Sequence, residues 1–195
     1  MRLNILLTLF ILLSFLFIQS CGDEIEFEDL IGDFANGSFK AIRNGEPWEA
    51  YAVMGEEIQF PGTFGITSER FNHQGFARES IAFIQVKNIK SKQELYPRIP
   101  ISERTIDTVR VFYNTSFDDG DVIGDIYKIV REDNENWIQF TEYDPASRRL
   151  KGKFEIHLVL AEEEMGRVPE PDAEPTIDFV DGIFDVLAPE WFELN

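Results

Sequence analysis

The chain has 195 residues, 18 of them Phe, and carries 36 acidic against 18 basic residues, for a net charge of −18. A negative surplus of this size repels the phosphates of nucleic acids and anionic head groups and speaks against both as partners. A hydrophobic content of 44% supplies a core and excludes a disordered acidic tail.

Residues 1–20 hold one charge, Arg2, and an apolar run from Leu3 to Ile18 interrupted only at Asn4, Thr8 and Ser14. The run is shorter than the roughly 20 residues of a membrane-spanning helix. A positive residue, an apolar run and a small residue form the layout of a secretory signal peptide. Cys21, the single cysteine, follows directly. It has no second cysteine to pair with in an oxidising compartment. The stretch Ile18-Gln19-Ser20-Cys21 resembles the cleavage site of bacterial lipoproteins. That resemblance implies removal of residues 1–20 and acylation, palmitate included, of Cys21, which ties the chain to a membrane. Cleavage leaves 17 basic against 36 acidic residues.

Residues 21–36 read as the lipidated cysteine and an acidic tether. The acids after Cys21 repel an anionic bilayer surface. They are also similar to the surface-export signal of Bacteroidota lipoproteins, which implies the outer membrane and display at the cell surface.

Residues 37–195 read as a single all-β domain. Short alternating or apolar runs are separated by turn residues, the pattern of antiparallel strands. Ser38–Arg43 and Pro47–Val53 flank Asn44-Gly45, a hairpin signal because both turn residues accept positive φ. Ile58–Thr67 is expected as a strand bent at Pro61-Gly62. Ser80–Asn88 is apolar on both faces in its centre and reads as a central strand. Ser91–Glu94 is expected as a helical turn. Thr105–Asn114 and Val122–Arg131 follow, then Asn136–Tyr143 and Arg149–Leu160 around Asp144-Pro145-Ala146-Ser147. In Arg149–Leu160 the alternation is cleanest, with Leu150, Gly152, Phe154, Ile156, Leu158 and Leu160 on the core face. Glu162–Glu174 reads as a mobile loop. Thr176–Val186 closes the domain with a break at Asp181-Gly182. About nine strands predict an antiparallel sandwich or a closed barrel.

Phe39-x-Ala41-x-x-Asn44-Gly45-x-x-Trp48, a late Gly152-x-Phe154 and a closing Gly182-x-Phe184 resemble a family of Bacteroidota lipoproteins of unknown function. The resemblance spans roughly residues 37–187. It implies turns and core positions but no activity, cofactor or catalytic residue.

Chemistry-bearing residues are few. Zinc takes Cys, His and carboxylate ligands, and only His73, expected in a hairpin loop, and His157, on the solvent face of its strand, remain. Calcium takes several hard oxygens from a loop. Asp118, Asp119, Asp121 and Asp125 cluster around Gly120, and Asp133, Asn134 and Glu135 form a second loop, yet both read more simply as turn chemistry. Trp48 and Trp137 are expected in the core or at its rim, and Trp191-Phe192 folded back onto the domain. Lys87–Arg104 is a basic island of five cations against two acids, a surface loop or a contact for an acidic partner.

The expectation is therefore a lipid-anchored cell-envelope β domain that acts as a binding or structural module, without catalysis or cofactor. Its protein or glycan partner is open. The alternatives are a carrier of a small apolar ligand in a barrel interior and a calcium-dependent glycan-binding module.

Overall fold

The computed structural model describes residues 37–58, 60–86, 92–97, 108–117, 120, 122–129, 136–161, 168–190 and 192. Its strands are β1 (Gly37–Arg43), β2 (Glu46–Glu56), β3 (Phe64–Phe71), β4 (Ala77–Val86), β5 (Gln93–Pro97), β6 (Val109–Ser116), β7 (Ile123–Ile129), β8 (Trp137–Asp144), β9 (Arg149–Leu160) and β10 (Thr176–Leu187). Nine of them close a ring in the order β10-β1-β2-β3-β4-β6-β5-β8-β9, and β9 returns to β10. The tenth, β7, bridges β6 and β9 on the edges that β5 and β8 occupy further along. Closure decides between the two architectures the sequence left open, and it removes the edges a sandwich would have to protect.

Two expectations need correction. Residues Gln93 and Glu94 belong to β5, not to a helical turn. β5 has little strand character of its own. It is held by β6 on one side, in parallel, and by β8 on the other, so the barrel is mixed. Ile58 and Phe60 to Thr63 are not strand. Phe60 N donates to Glu57 O (2.9 Å), Thr63 N donates to Phe60 O (3.0 Å), and Gly62 has φ +83°. These bonds wind the segment into a tight turn, and Pro61, with no N–H to donate, cannot extend a ladder.

Elsewhere alternation is a good guide. In β2 every second residue is buried, from Trp48 through Ala50 and Ala52 to Met54. In β9, Leu150, Gly152, Phe154, Ile156 and Leu158 are buried and Leu160 is half-buried, as the period-two pattern requires. Asn44 (φ 49°) and Gly45 (φ 89°) form the β1–β2 turn with both residues left-handed. The predicted break in β10 is a bulge: Asp181 has φ 54°, and the β9–β10 register shifts between Phe179 and Gly182.

The two Gly-x-Phe motifs acquire a joint meaning. β9 and β10 run antiparallel with Gly152 opposite Phe184 and Gly182 opposite Phe154. A Cβ on Gly152 would lie 2.1 Å from the Phe184 ring, and one on Gly182 would lie 2.7 Å from the Phe154 ring. Each glycine thus clears the floor for the phenylalanine of the other strand, whose ring lies flat across the backbone. The rings released inward meet others on the barrel axis. Phe39 lies 5.9 Å from Phe83, 5.2 Å from Phe154 and 5.4 Å from Phe184, centroid to centroid. Each fully buried ring contributes about 1.5–3 kcal/mol by leaving water.

Candidate functional site

The two ends of the barrel differ. One end carries the Asp144–Arg148 turn, the start of β1 and the end of β10. There Phe192 packs on Phe64 and Tyr143, which brings the expected fold-back of the C-terminal segment into view; Trp191 lies outside the described residues. The other end carries the β1–β2 and β3–β4 turns and the loops after β6 and β9. It is polar, and its centre is Glu79.

Glu79 stands on β4 with the same parity as Ile81 and Phe83, so the pleat directs it inward. Its Oε2 accepts from Trp48 Nε1 at 2.7 Å and from the Tyr113 hydroxyl at 3.0 Å. Its Oε1 accepts from Arg70 Nη1 at 3.1 Å. Arg43 Nε is buried 3.7 Å from Oε2 and has no hydrogen-bond partner, while Arg43 Nη2 donates to Glu174 Oε1 at 2.5 Å. Asn44 Nδ2 donates to the other oxygen of Glu174 at 2.6 Å. The segment before β10 is therefore fastened across the mouth. A second tie, Glu170 N to Asp125 Oδ1 at 2.9 Å, holds the same segment to β7.

The network has an electrostatic signature. Burial, and then the charge of Glu79, push the Tyr113 hydroxyl well above the ordinary phenol range against the pull of Arg43. Burial, then Asp125 and Glu174, push Tyr127 up to about 12. Both phenols are therefore neutral near pH 7, and Tyr113 can donate to Glu79. The Tyr113 ring also packs against Tyr127 and Phe179, and Phe179 meets Trp48 edge-on, so the polar layer rests directly on the aromatic core.

Beside Glu79 a cavity of about 300 Å³ opens to solvent, lined also by Arg78, Thr115, Ser116, Phe117 and Glu170. Thr115 Oγ1 accepts from Asp125 N at 2.8 Å. A second, shallower depression of about 620 Å³ lies on the outer wall near Lys40, Trp48, Arg70 and Ile183.

The residues singled out in the sequence do not converge here. Cys21 and the tether, Asp118, Asp119, Asp121, Asp133, Asn134, Glu135, Lys87, Lys90, Arg98 and Arg104 lie outside the described residues. Asp125 is buried and bound to the backbone of Glu170. His73 lies in the β3–β4 turn. His157 points outward, with Nδ1 2.9 Å from Asp178 Oδ1 and Nε2 3.4 Å from Glu155 Oε1. Trp137 is half-buried, donates to Glu155 Oε2 at 3.2 Å, and carries Lys92 Nζ over its ring at 4.0 Å. Among the described residues no group of three His, Cys, Asp or Glu side chains is placed to hold a metal ion. Glu79 escaped sequence reasoning because its partners are 31 to 34 residues away in Trp48 and Tyr113, and Arg43 and Glu174 are separated by 131. A signal did exist: a carboxylate on the core-facing parity of a strand.

Fold and site define a closed β-barrel with an aromatic-packed interior and one hydrogen-bonded polar mouth. Comparisons of the chain with protein-family models, curated proteins and solved structures gave no match.

Proposed function

We propose that this chain is a lipid-anchored β-barrel of the cell envelope, tethered to the outer membrane through Cys21, and that it acts as a binding or structural module with no catalysis assigned. The observation that carries the reading is the polarity of the barrel. β1 enters at Gly37, opposite Ala52 and Val186, and reaches the polar mouth only at Arg43. A seven-residue strand spans roughly 20 Å. A tether ending at residue 36 would join the barrel at its aromatic end, the end away from the polar mouth.

The carrier alternative draws no support from an axis crossed by Phe39, Phe83, Phe154 and Phe184. Of the residues behind the calcium alternative, Asp125 stands in β7 and already accepts a backbone hydrogen bond from Glu170. Metabolic labelling with an alkynyl palmitate tests the anchor. The wild-type chain is expected to carry the label in the membrane fraction, and Cys21→Ser to lose the label and become soluble. An unlabelled, soluble wild-type chain would remove the proposal. Protease shaving of intact cells then separates surface display from an inward-facing orientation.

A further inference from the structure

We infer that the cavity beside Glu79 binds one ring of a neutral sugar, at the mouth of the module proposed above and resting on the reading of it as a binding module. The first argument is the unused capacity of a fixed acceptor. A carboxylate offers about four lone-pair directions. Trp48, Tyr113 and Arg70 occupy three of them on Glu79, which leaves one on Oε1 in a group that lines the cavity and whose orientation is locked by its neighbours. Such an acceptor takes a ligand hydroxyl without having to be ordered first.

Charge balance is the second argument. Glu79 is compensated by Arg70 at 3.1 Å and Arg43 at 3.7 Å, and Arg78 adds a further guanidinium to the wall. A cationic ligand would meet Arg78 in the wall. An anionic one would meet Glu79 and Glu170. A ligand that is polar and uncharged meets neither penalty, and can both donate to Glu79 and exchange hydrogen bonds with the Thr115 and Ser116 hydroxyls.

The third is the aromatic rim. Phe117 and Phe76 are 38% and 41% exposed, the two phenylalanines among the large apolar side chains left exposed in the described residues. Gly120 joins them: its N–H donates to Phe117 O at 2.8 Å, and its Cα lies so close to Phe76 that a Cβ would come within 3.1 Å. Phe117 lines the cavity directly and offers an apolar face to the C–H side of a sugar ring, while the opposite wall supplies polar partners. The volume, about 300 Å³, is at the lower end of small-ligand sites, which sets the size at a single ring.

Saturation-transfer NMR on the full chain in a zwitterionic detergent tests this, because glycoside detergents would compete. The probes are the methyl glycosides of glucose, galactose, mannose, xylose and N-acetylglucosamine, with lysine amide and methyl phosphate as charged controls. Transfer to at least one glycoside is expected. It should fall at least tenfold in Phe117→Ala, whose melting temperature should stay at the wild-type value because the ring is exposed, and again in Glu79→Gln. Absence of transfer to every glycoside would overturn the inference. So would stronger transfer to lysine amide or methyl phosphate, or glycoside transfer that survives both substitutions. Palmitate labelling at Cys21 reads the anchored module separately, so a failed sugar test with a labelled chain removes the site and leaves the anchored module standing.

Discussion

At one end of the barrel Phe192 lies edge-on to Phe64 and Tyr143, 5.3 and 5.5 Å between centroids. At the other, Arg43, Glu79, Tyr113 and Glu174 are joined by hydrogen bonds and ion pairs. Both ends close the same aromatic column, but their energetics differ. The aromatic end gains from area removed from water, a non-directional term that tolerates adjustment. The polar end depends on every donor finding its acceptor, and losing one member leaves the others stranded in a poorly solvated place. The difference teaches where each can be altered. The apolar closure can lose a ring and relax. The polar closure is specific and all but indivisible, and it is the end with open space beside it.

Substitutions can break or sharpen that contrast. The largest effect is expected in the column that both ends share. Phe39→Ala should cost about 3–5 kcal/mol in chemical denaturation, because Phe39 is fully buried and touches three other rings. Next comes Glu79→Ala, which strands the Trp48 N–H, the Tyr113 hydroxyl and the Arg43 guanidinium. A loss of about 3 kcal/mol is expected, with Glu79→Gln costing less. A loss under about 1 kcal/mol would mean that the polar end is no more demanding than the aromatic one. Phe192→Ala should cost about 1–2 kcal/mol, as a half-buried ring with two edge contacts. A larger loss would reverse the contrast.

Alkaline titration reads the polar end without mutation. Tyr127 is raised to about 12, and Tyr113 is raised as well, so the folded state holds protons that the unfolded chain releases near pH 10. Stability from these groups is whole below pH 10 and is lost as pH climbs toward 12 and beyond. Phenolate absorbance should show two tyrosines ionising late and together with unfolding, and Tyr113→Phe should remove one of them. The smallest effect belongs to the outer wall. Lys40→Ala breaks a 2.7 Å pair with Glu49 between two side chains more than half exposed, and the denaturation midpoint should move by less than about 0.5 kcal/mol.

Much of the fold was legible because the pleat writes itself into sequence. β9 reproduces its predicted bounds and its inward face, and the Asn44-Gly45 turn and the Asp181-Gly182 break fall where the residues place them. β5 was illegible. Gln93–Pro97 has a polar start and a terminal proline, and it is a strand only because β6 and β8 leave a gap of its width. The site was illegible for a related reason: Glu79 was one acid among 36, and only its parity on β4 set it apart.

By itself, then, the sequence determined the periodic elements, the turns and the surplus of aromatic side chains, since each depends on neighbours a few residues away. It also carried the two Gly-x-Phe motifs, but as separate marks. Tertiary structure decided that the sheet closes, that each of those glycines seats the other motif's phenylalanine, and that Glu79 meets Trp48, Arg43 and Tyr113. Those outcomes turn on distances between segments as far apart in the chain as Gly37 and Val186. Such distances are fixed by packing the whole barrel and by no local preference.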